Sequence, residues 1–381
     1  MNIVWGACCF NETKETITNF FKNTIETLSD KGYKVYPIIF DAKFEHNQED
    51  IDYISNNIKD VLIIQNETNI FPNKNYGVAV IAEYAHRIKS DYLAIVDPDW
   101  DVNEYTSFIN NLFLPLESKK ADIVIPDIGR EAGRSNMFIG KVAISLFYPE
   151  YFNIIKTAFP GSLIGKTERI YQITSSDFYH YDWGGEWDVI SLAIENHFSI
   201  DSLPIAVKNV RHRSNASKSL DAYQIWKAIF SNKGMIKRYS NMELCDCHIK
   251  SFDSLSEILL KEELTAVEQI ELVKKYATNE TQKQLLYMVL YPLASILEEI
   301  DYIPVIEKTN QLPYDKEKIK EVSDLAIYCV KSALRKTNKS IENIHKTANS
   351  VANNLWSDWD QKTQWESLEN VKKYFSKEGI V

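Results

Sequence analysis

Two carboxylates, Asp97 and Asp99, follow an apolar run at residues 93–96. Pro98 lies between them and ends the strand that the run predicts, so both side chains belong to the turn where the strand finishes. Such a pair is typical of a divalent-cation site beside a nucleotide diphosphate: one Asp holds the cation, and the other reaches the ribose or a water ligand. The alternative is a capping pair before a helix opening at Asn103, for which Asp101 is the more natural cap.

A second polar cluster occupies residues 182–188, where Asp182, Glu186 and Asp188 surround two glycines. Glycines let backbone amides approach a ligand closely, and carboxylates accept hydrogen bonds from hydroxyl groups. These features favour a site for a hydroxyl-rich acceptor. A helix N-terminus with acids that compensate the helix dipole explains the pattern equally well, and the sequence leaves both interpretations open.

A third candidate is His212, which lies between Arg211 and Arg213. A neutral imidazole can ligate a cation while arginines bind phosphate or carboxylate, although a solvated basic turn has the same composition. Two glycine-bearing polar segments, residues 133–136 and 159–166, are suited to anion and hydroxyl contacts.

These residues need a scaffold, and the first hundred residues alternate strand and helix patterns. Apolar runs predict strands at residues 2–9, 34–40, 61–64 and 92–96, with helices at 13–31 and 76–89. This alternation predicts an α/β fold with a parallel, helix-covered sheet, in which ligands bind at the carboxyl ends of strands. Polar residues that follow these predicted strands are Asn11, Glu12, Asp41, Asp97 and Asp99.

The pattern changes near Ser251, after which apolar residues recur at helical spacing. We predict helices at residues 259–276, 281–300, 314–335 and 340–375. The sequence therefore predicts two domains, an α/β domain at residues 1–250 and an all-helical domain at residues 251–381. A homodimer formed through the helical domain is a further expectation.

Composition limits the classes of function. The chain has 381 residues, 45% of them hydrophobic, and a formal net charge of −10. This charge argues against a general nucleic-acid binder, which needs clustered Lys and Arg. The sequence contains no apolar run long enough to span a membrane and no signal-peptide pattern, so a cytoplasmic protein is expected. The five cysteines form no spaced framework and are read as free thiols.

The order of these motifs along residues 1–220 resembles the GT-A glycosyltransferases that make glycosylglycerates, the glucosyl-3-phosphoglycerate and mannosylglycerate synthases. The segment from Gly133-Arg134-Ser135-Asn136 to the Tyr-Pro-Glu that ends at Glu150 is similar to the family's Gly-Arg-x-Thr and Trp-Pro-Glu stretches. The resemblance implies a GT-A domain, Rossmann-like with a mostly parallel sheet, that binds a nucleotide-sugar and precedes a helical domain.

The resemblance also implies roles for individual residues. On the donor side, Asn11 and Glu12 would approach the nucleotide, Lys74 the base or diphosphate, and Asp97 the ribose. Asp99 and His212 would ligate Mg²⁺ or Mn²⁺, and the loop at residues 161–165, with Gly161 and Ser162, would embrace the donor sugar. On the acceptor side, the expected residues are Arg134, Asn136 and Arg213 for an acidic group, with Asp182 and Glu186 as the catalytic carboxylates.

Three positions depart from the family pattern. Pro160-Gly161-Ser162 stands where Gly-Gly-Glu is usual, so the resemblance does not imply which sugar is transferred. Asn136 replaces the Thr that binds phosphoglycerate, and Ser214 stands where Asn is common, so the acceptor can differ from phosphoglycerate.

We therefore predict a metal-dependent retaining glycosyltransferase that moves a hexose from a nucleoside-diphosphate sugar to a hydroxyl acceptor, with a glycerate-like acid as one candidate. Three alternatives remain at this point: a transferase of the same fold acting on a glycan or other larger acceptor, a sugar-phosphate nucleotidyltransferase, and a non-catalytic sugar-nucleotide binding protein. The nucleotidyltransferase is disfavoured because residues 7–12 lack a glycine-rich basic loop after the first strand.

Overall fold

The computed structural model describes residues 1–10, 12–42, 47–66, 74–129, 133–205, 207–210, 218–232, 253–298, 316–355 and 361–380. The chain divides into two compact units. Unit 1 comprises residues 1–128, 160–211 and 358–381, and unit 2 comprises residues 129–159 and 212–357. This division differs from the expected boundary at residue 250, because each unit is assembled from segments that are distant in sequence.

Unit 1 contains a mostly parallel sheet of seven strands in the order β3-β2-β1-β4-β7-β6-β8. Strands β1 to β4 are parallel to one another, β7 runs antiparallel to its neighbours β4 and β6, and β8 is parallel to β6. The strands are β1 (Asn2–Cys9), β2 (Lys34–Asp41), β3 (Leu62–Gln65), β4 (Tyr92–Ile95), β6 (Ile123–Val124), β7 (Leu163–Lys166) and β8 (Ile200–Asp201). The predicted α/β fold with a mostly parallel sheet is confirmed.

Strand β1 illustrates why the apolar runs form this sheet. Ile3, Val4 and Trp5 are completely buried, because strands covered on both faces have no solvent-exposed side. Strand β1 pairs with β2 from Asn2↔Lys34 to Cys9↔Asp41. The parallel register brings the carboxyl ends of these strands to the same edge of the sheet.

A second sheet in unit 1 has two antiparallel strands, β5 (Trp100–Val102) and β9 (Val207–Val210). Trp100 pairs with Val210. The turn that contains Asp97 and Asp99 therefore lies between β4 of the large sheet and β5 of the small one.

Unit 1 also contains seven described helices, several of which pack on the large sheet. They are α1 (Lys14–Asp30), α2 (Gln48–Asn57), α3 (Lys74–Arg87), α4 (Tyr105–Glu117), α6 (Thr167–Thr174), α7 (Gly184–Glu195) and α15 (Gln361–Lys377). Glu104 caps α4 by accepting hydrogen bonds from the amides of Thr106 and Ser107. The capping role considered for Asp101 thus belongs to Glu104, and Asp101 is an exposed residue of β5.

The last helix, α15, packs against α3. Phe375 is fully buried with its ring centroid 5.8 Å from that of Tyr84. Arg87 donates a hydrogen bond from Nη1 to Ser376 Oγ (2.9 Å), and the Tyr76 hydroxyl and Ser367 Oγ are 2.8 Å apart. The C-terminal helix is therefore part of unit 1, whereas the sequence suggested a continuous helical domain.

Every regular element described in unit 2 is helical, as expected for the tail of the chain. The elements are α5 (Lys141–Phe147), α8 (Lys218–Ser231), α9 (Ser254–Leu259), α10 (Ala266–Tyr276), α11 (Glu280–Leu285), α12 (Tyr291–Glu298), α13 (Lys316–Lys336) and α14 (Ile341–Leu355). π-helical turns at Asn136–Gly140 and Leu286–Leu290 precede α5 and α12, and a 3-10 turn at Pro149–Tyr151 follows α5. Buried Lys141 joins α5 to α13 by donating to Ser323 Oγ (2.9 Å) and Asp324 Oδ1 (2.5 Å).

Among the helices described in the two units, none combines the length and apolar character needed to cross a membrane. Cys8, Cys9 and Cys329 are thiols that form no disulfide, as expected, while the other two cysteines lie outside the described residues.

Candidate active site

Lys74, the first residue of α3, lies among three oxygen acceptors of unit 1. Its Nζ atom is 2.7 Å from Asp97 Oδ1 and 3.9 Å from Glu186 Oε1, and it also donates a hydrogen bond to the Gly161 carbonyl. Asp97 comes from the turn after β4, and Glu186 comes from the first turn of α7. We call Lys74, Asp97 and Glu186 the Lys74 cluster; it joins three segments that are far apart in sequence.

Gly161 is required where it stands. Its backbone has φ +77°, a conformation that favours glycine, and a Cβ atom there would lie 2.3 Å from Asp97 Oδ2. The neighbouring Ser162 accepts a hydrogen bond at Oγ from the Asp97 amide (3.3 Å). Gly161 and Ser162 therefore hold the Asp97 turn.

The segment that follows is a strand, which corrects the expected donor loop at residues 161–165. Leu163–Lys166 forms β7, and Gly165 pairs with Leu93 of β4. A Cβ atom at Gly165 would lie 2.8 Å from the Asp122 carbonyl oxygen, so this glycine serves close strand packing. Only Gly161 and Ser162 of the expected loop precede the strand.

Burial and charge act against each other within the Lys74 cluster. Burial lowers the pKa of Lys74, but the carboxylates of Asp97 and Glu186 outweigh this effect and hold its pKa above 10.5. Burial raises the pKa of Glu186 to about 6, with the charge of Asp97 adding to the shift and Lys74 opposing it. The pKa of Asp97 is likewise raised by burial, although its ion pair with Lys74 opposes the change. The cluster contains one ammonium group and two carboxyl groups whose protonation is coupled.

Asp99 is half-buried in the turn between β4 and β5. The next residue, Trp100, pairs with Val210 at the end of β9. His212, the expected partner of Asp99, follows Val210 by two residues and lies outside the described part of the chain, as do Arg213 and Asn11.

The second acidic cluster forms the N-terminus of α7, as one of the two sequence interpretations held. Asp182 is 1% exposed, and its Oδ1 accepts a hydrogen bond from the Gly184 amide (2.7 Å). The Asp182 carbonyl accepts from Asn75 Nδ2 (2.6 Å) and from the Gly185 amide (2.9 Å). Asp182 therefore shapes the start of the helix, while Glu186, one turn later, reaches Lys74.

Asn75, Tyr179 and His180 are residues of this region that the sequence reading did not select. The Tyr179 hydroxyl donates to the Asn75 carbonyl (3.3 Å), which ties α3 to the segment before α7. Asp188 Oδ2 lies 2.7 Å from both the backbone N and the Nδ1 of His180. Their polarity, in segments already chosen for Lys74 and Asp182, was the only available signal.

Three further predicted residues have described positions. Glu12 accepts a hydrogen bond from the Phe10 amide (2.6 Å), just beyond the end of β1. Arg134 and Asn136 belong to unit 2, where Arg134 is half-buried. Buried Asn136 donates from Nδ2 to the Phe159 carbonyl (3.0 Å) and accepts at Oδ1 from the Phe159 amide (2.7 Å). Its amide group thereby anchors the segment that leads to Gly161.

No protein-family model matches the chain, and no curated protein sequence matches it. Among solved structures, it is similar to glucosyl-3-phosphoglycerate synthase from Mycobacterium tuberculosis in complex with Mn²⁺, UDP-glucose and phosphoglyceric acid, with 16% identity, 67% of this chain and 84% of that chain covered, and a TM-score of 0.45. It is also similar to mannosyl-3-phosphoglycerate synthase from Rubrobacter xylanophilus, with 12% identity, coverage of 65% and 77%, and a TM-score of 0.48. A mycobacterial protein has 18% identity, coverage of 60% and 74%, and a TM-score of 0.48. At these values the similarities assign no role to any residue.

Proposed function

We propose that the protein is a divalent-cation-dependent glycosyltransferase that moves a hexose, with retention of anomeric configuration, from a nucleoside-diphosphate sugar to a hydroxyl acceptor. The observation that carries this proposal is the Lys74 cluster, in which Lys74 lies 2.7 Å from Asp97 at the carboxyl end of β4 and 3.9 Å from Glu186. Crevices at the carboxyl ends of parallel strands are where open α/β sheets bind ligands. The expected stereochemistry comes from the motif resemblance.

A carboxylate at the β4–β5 turn suits a hard divalent cation, which prefers oxygen ligands. Both oxygens of Asp97 face protein groups, since Oδ1 pairs with Lys74 and Oδ2 lies against Gly161. The motif resemblance implies Asp99 as a direct ligand, with His212 as the second. Within the described ranges no three potential ligand side chains come together, and Mg²⁺ commonly needs only one or two carboxylates when substrate phosphates complete its shell. When bound, such a cation would neutralise charge on the departing diphosphate.

The pairing of β5 with β9 supports this assignment of ligands. Trp100 follows Asp99 directly and pairs with Val210, two residues before His212 in the chain. The pairing joins the two segments that carry the proposed ligands, which lie more than a hundred residues apart in sequence.

Lys74 provides the positive charge of the site. Its ammonium group holds the carboxylate of Asp97 in a fixed position, as expected for a residue that orients the ribose. The ammonium group of Lys74, beside the leaving diphosphate, would also stabilise negative charge that develops during transfer. Glu12, which follows β1, is assigned to the nucleotide side.

Glu186 is assigned to the acceptor side. With a pKa of about 6, its carboxyl group is mostly ionised at neutral pH and can accept a hydrogen bond from an acceptor hydroxyl. Asp182 accepts a hydrogen bond from a backbone amide at the start of α7 and so fixes the backbone that carries Glu186. Catalysis in this scheme is positioning plus charge stabilisation.

Nucleotide-sugar binding and turnover test the proposal together. Thermal unfolding would be followed with Mn²⁺ and UDP-glucose, GDP-mannose or UDP-galactose, because a ligand at 100 times its Kd adds about 2.7 kcal/mol to the free energy of unfolding. Release of nucleoside diphosphate from the stabilising donor is the expected result. Stabilisation without any release would indicate a binding protein, and pyrophosphate formation from a nucleoside triphosphate and a sugar phosphate would indicate a nucleotidyltransferase.

A further inference from the structure

Two large aromatic side chains are exposed in the segment that leads into α7. Phe178 is 39% exposed and Trp183 is 36% exposed, while Tyr179 and Tyr181 between them are buried. Single exposed apolar residues are common on protein surfaces and need no explanation. Trp183, however, lies in the segment that leads to Glu186 of the proposed reaction site.

Trp183 precedes Glu186 by three residues at the start of α7. Its backbone has helical angles, φ −58° and ψ −17°, immediately before the first residue of α7. Residues three apart on a helix lie next to each other on its surface, about 5–6 Å apart at Cβ. The indole of Trp183 therefore begins on the same side of α7 as the carboxylate that reaches Lys74.

The segment that carries Trp183 is held rigidly. Asn75 Nδ2 donates to the carbonyl of the preceding residue, Asp182 (2.6 Å). The backbone amide of His180 donates to Asp188 Oδ2 (2.7 Å). A Cβ atom on Gly185 would lie 2.3 Å from the His180 carbonyl oxygen, so the helix start and the segment are in close contact. An exposed aromatic ring on such a fixed backbone binds a ligand with little loss of conformational entropy.

The charges around Trp183 select the kind of ligand. Among the described residues, Glu186 is the acidic group that follows Trp183 in the first turn of α7, and Lys74 is already paired with Asp97 and with Glu186. This setting disfavours an anionic acceptor and favours hydroxyl groups, which donate hydrogen bonds to carboxylates. A pyranose ring has both required parts, an apolar C–H face that stacks on an aromatic ring and hydroxyl groups at its edge.

We propose that Trp183 is the acceptor platform of this site and that the acceptor is a neutral sugar ring, either a free glycoside or the end of a glycan. The inference rests on the proposed glycosyltransferase function and names its acceptor class. It favours a carbohydrate over a small hydroxy acid.

Binding and turnover separate this inference from the function on which it rests. Saturation-transfer NMR with maltose and with methyl α-D-glucopyranoside, in the absence of donor, should show transfer to ring protons with the wild-type protein and loss of the signal with Trp183→Ala. In transfer assays with Mn²⁺ and the active nucleotide-sugar, Trp183→Ala should raise the KM for maltose about 10-fold, in line with the loss of one stacking interaction. Trp183→Phe, which keeps an aromatic ring, should restore most of the lost affinity for maltose. Tyr374→Ala, at an exposed aromatic residue of α15, serves as the control.

Three results would overturn the inference. The first is the absence of saturation transfer to either sugar with the wild-type protein. The second is a higher KM for the nucleotide-sugar rather than for maltose in Trp183→Ala, which would place a nucleobase on the indole. The third is use of D-glycerate in preference to both sugars, with a KM that Trp183→Ala leaves unchanged. Sugar binding at Trp183 without turnover of any donor would instead contradict the proposed function alone.

Discussion

Asp97 Oδ2 lies 2.3 Å from the position that a Cβ atom would take on Gly161. The two residues come from turns next to adjacent strands, β4 and β7, and only a residue without a side chain allows this approach. Because the other oxygen of Asp97 pairs with Lys74, the contact sets where the carboxylate of the proposed nucleotide site stands.

Gly161→Ala should therefore lower the free energy of unfolding by more than the strain of a positive φ angle alone. Gly32 is a matched control, since its φ of +82° is similar and a Cβ atom there meets nothing within 4 Å. Gly32→Ala should cost about 1–2 kcal/mol of unfolding free energy through backbone strain. Gly161→Ala should cost about 1–3 kcal/mol more through the steric overlap and should lower donor turnover. Equal unfolding free energies for the two variants in urea titrations would contradict the close approach.

Lys74→Met should destabilise the protein and abolish turnover, because it leaves the carboxylates of Asp97 and Glu186, which are 29% and 14% exposed, without a cation. Breaking such a buried pair costs about 3 kcal/mol. Lys166→Met is the control: Lys166 pairs with Asp122 at the same 2.7 Å distance but is 37% exposed, and pairs of that kind contribute under about 1 kcal/mol. Urea unfolding of both variants measures the contrast, and similar losses would show that Lys74 is not held between Asp97 and Glu186 as described.

The Glu186→Gln variant should become more stable relative to the wild type as the pH rises. The folded-state pKa of about 6 lies above the ordinary value of 4.5. The ionised carboxyl group is therefore disfavoured in the folded state, and stability falls as the pH rises from about 4.5 through about 6. This difference corresponds to about 2 kcal/mol. Unfolding free energies of wild type and variant at pH 4 and pH 8 should diverge by that amount, and a gap that does not change with pH would be inconsistent with a buried Glu186.

Phe375→Ala tests the assignment of the C-terminal helix to unit 1. Phe375 is 0% exposed, whereas its neighbour Tyr374 is 47% exposed. Removing the buried ring should cost about 3–5 kcal/mol, and Tyr374→Ala should stay within about 0.5 kcal/mol of wild type. Thermal unfolding distinguishes the two, and a small effect of Phe375→Ala would mean that α15 does not pack on α3.

The sequence predicted the strands and helices that have a long apolar or amphipathic pattern. Strands β1 and β2 are long apolar runs, and α1 has an amphipathic pattern with Thr13 as its cap. Helix α2 was missed because its apolar pattern is weak. Ile54 is the one residue of this helix that is buried. Strand β7 was read as a loop because its glycine resembles a loop residue, although it serves strand packing.

Long-range relationships were the part that local patterns could not supply. Arg87 and Ser376 are 289 residues apart, and nothing near either residue indicates that α15 returns to unit 1. Lys74, Asp97 and Glu186 were each selected as site residues, but their pairing depends on the sheet order and on Gly161. Asp182 and Glu186 were given equal roles because sequence spacing cannot tell a carboxylate used at a helix start from one that reaches Lys74.

The metal dependence of donor turnover tests the central claim most directly. Release of nucleoside diphosphate from UDP-glucose and GDP-mannose would be measured with Mn²⁺, with and without EDTA, for wild type, Asp99→Ala and Asp101→Ala. Asp101 is the matched control because it is an exposed carboxylate two residues away on β5. We predict EDTA-sensitive turnover that Asp99→Ala lowers on the order of 10²-fold or more, comparable with losing one oxyanion-hole donor, and that Asp101→Ala leaves within about 2-fold, as expected of a surface substitution. Full, EDTA-insensitive turnover by Asp99→Ala would contradict a cation site at this turn.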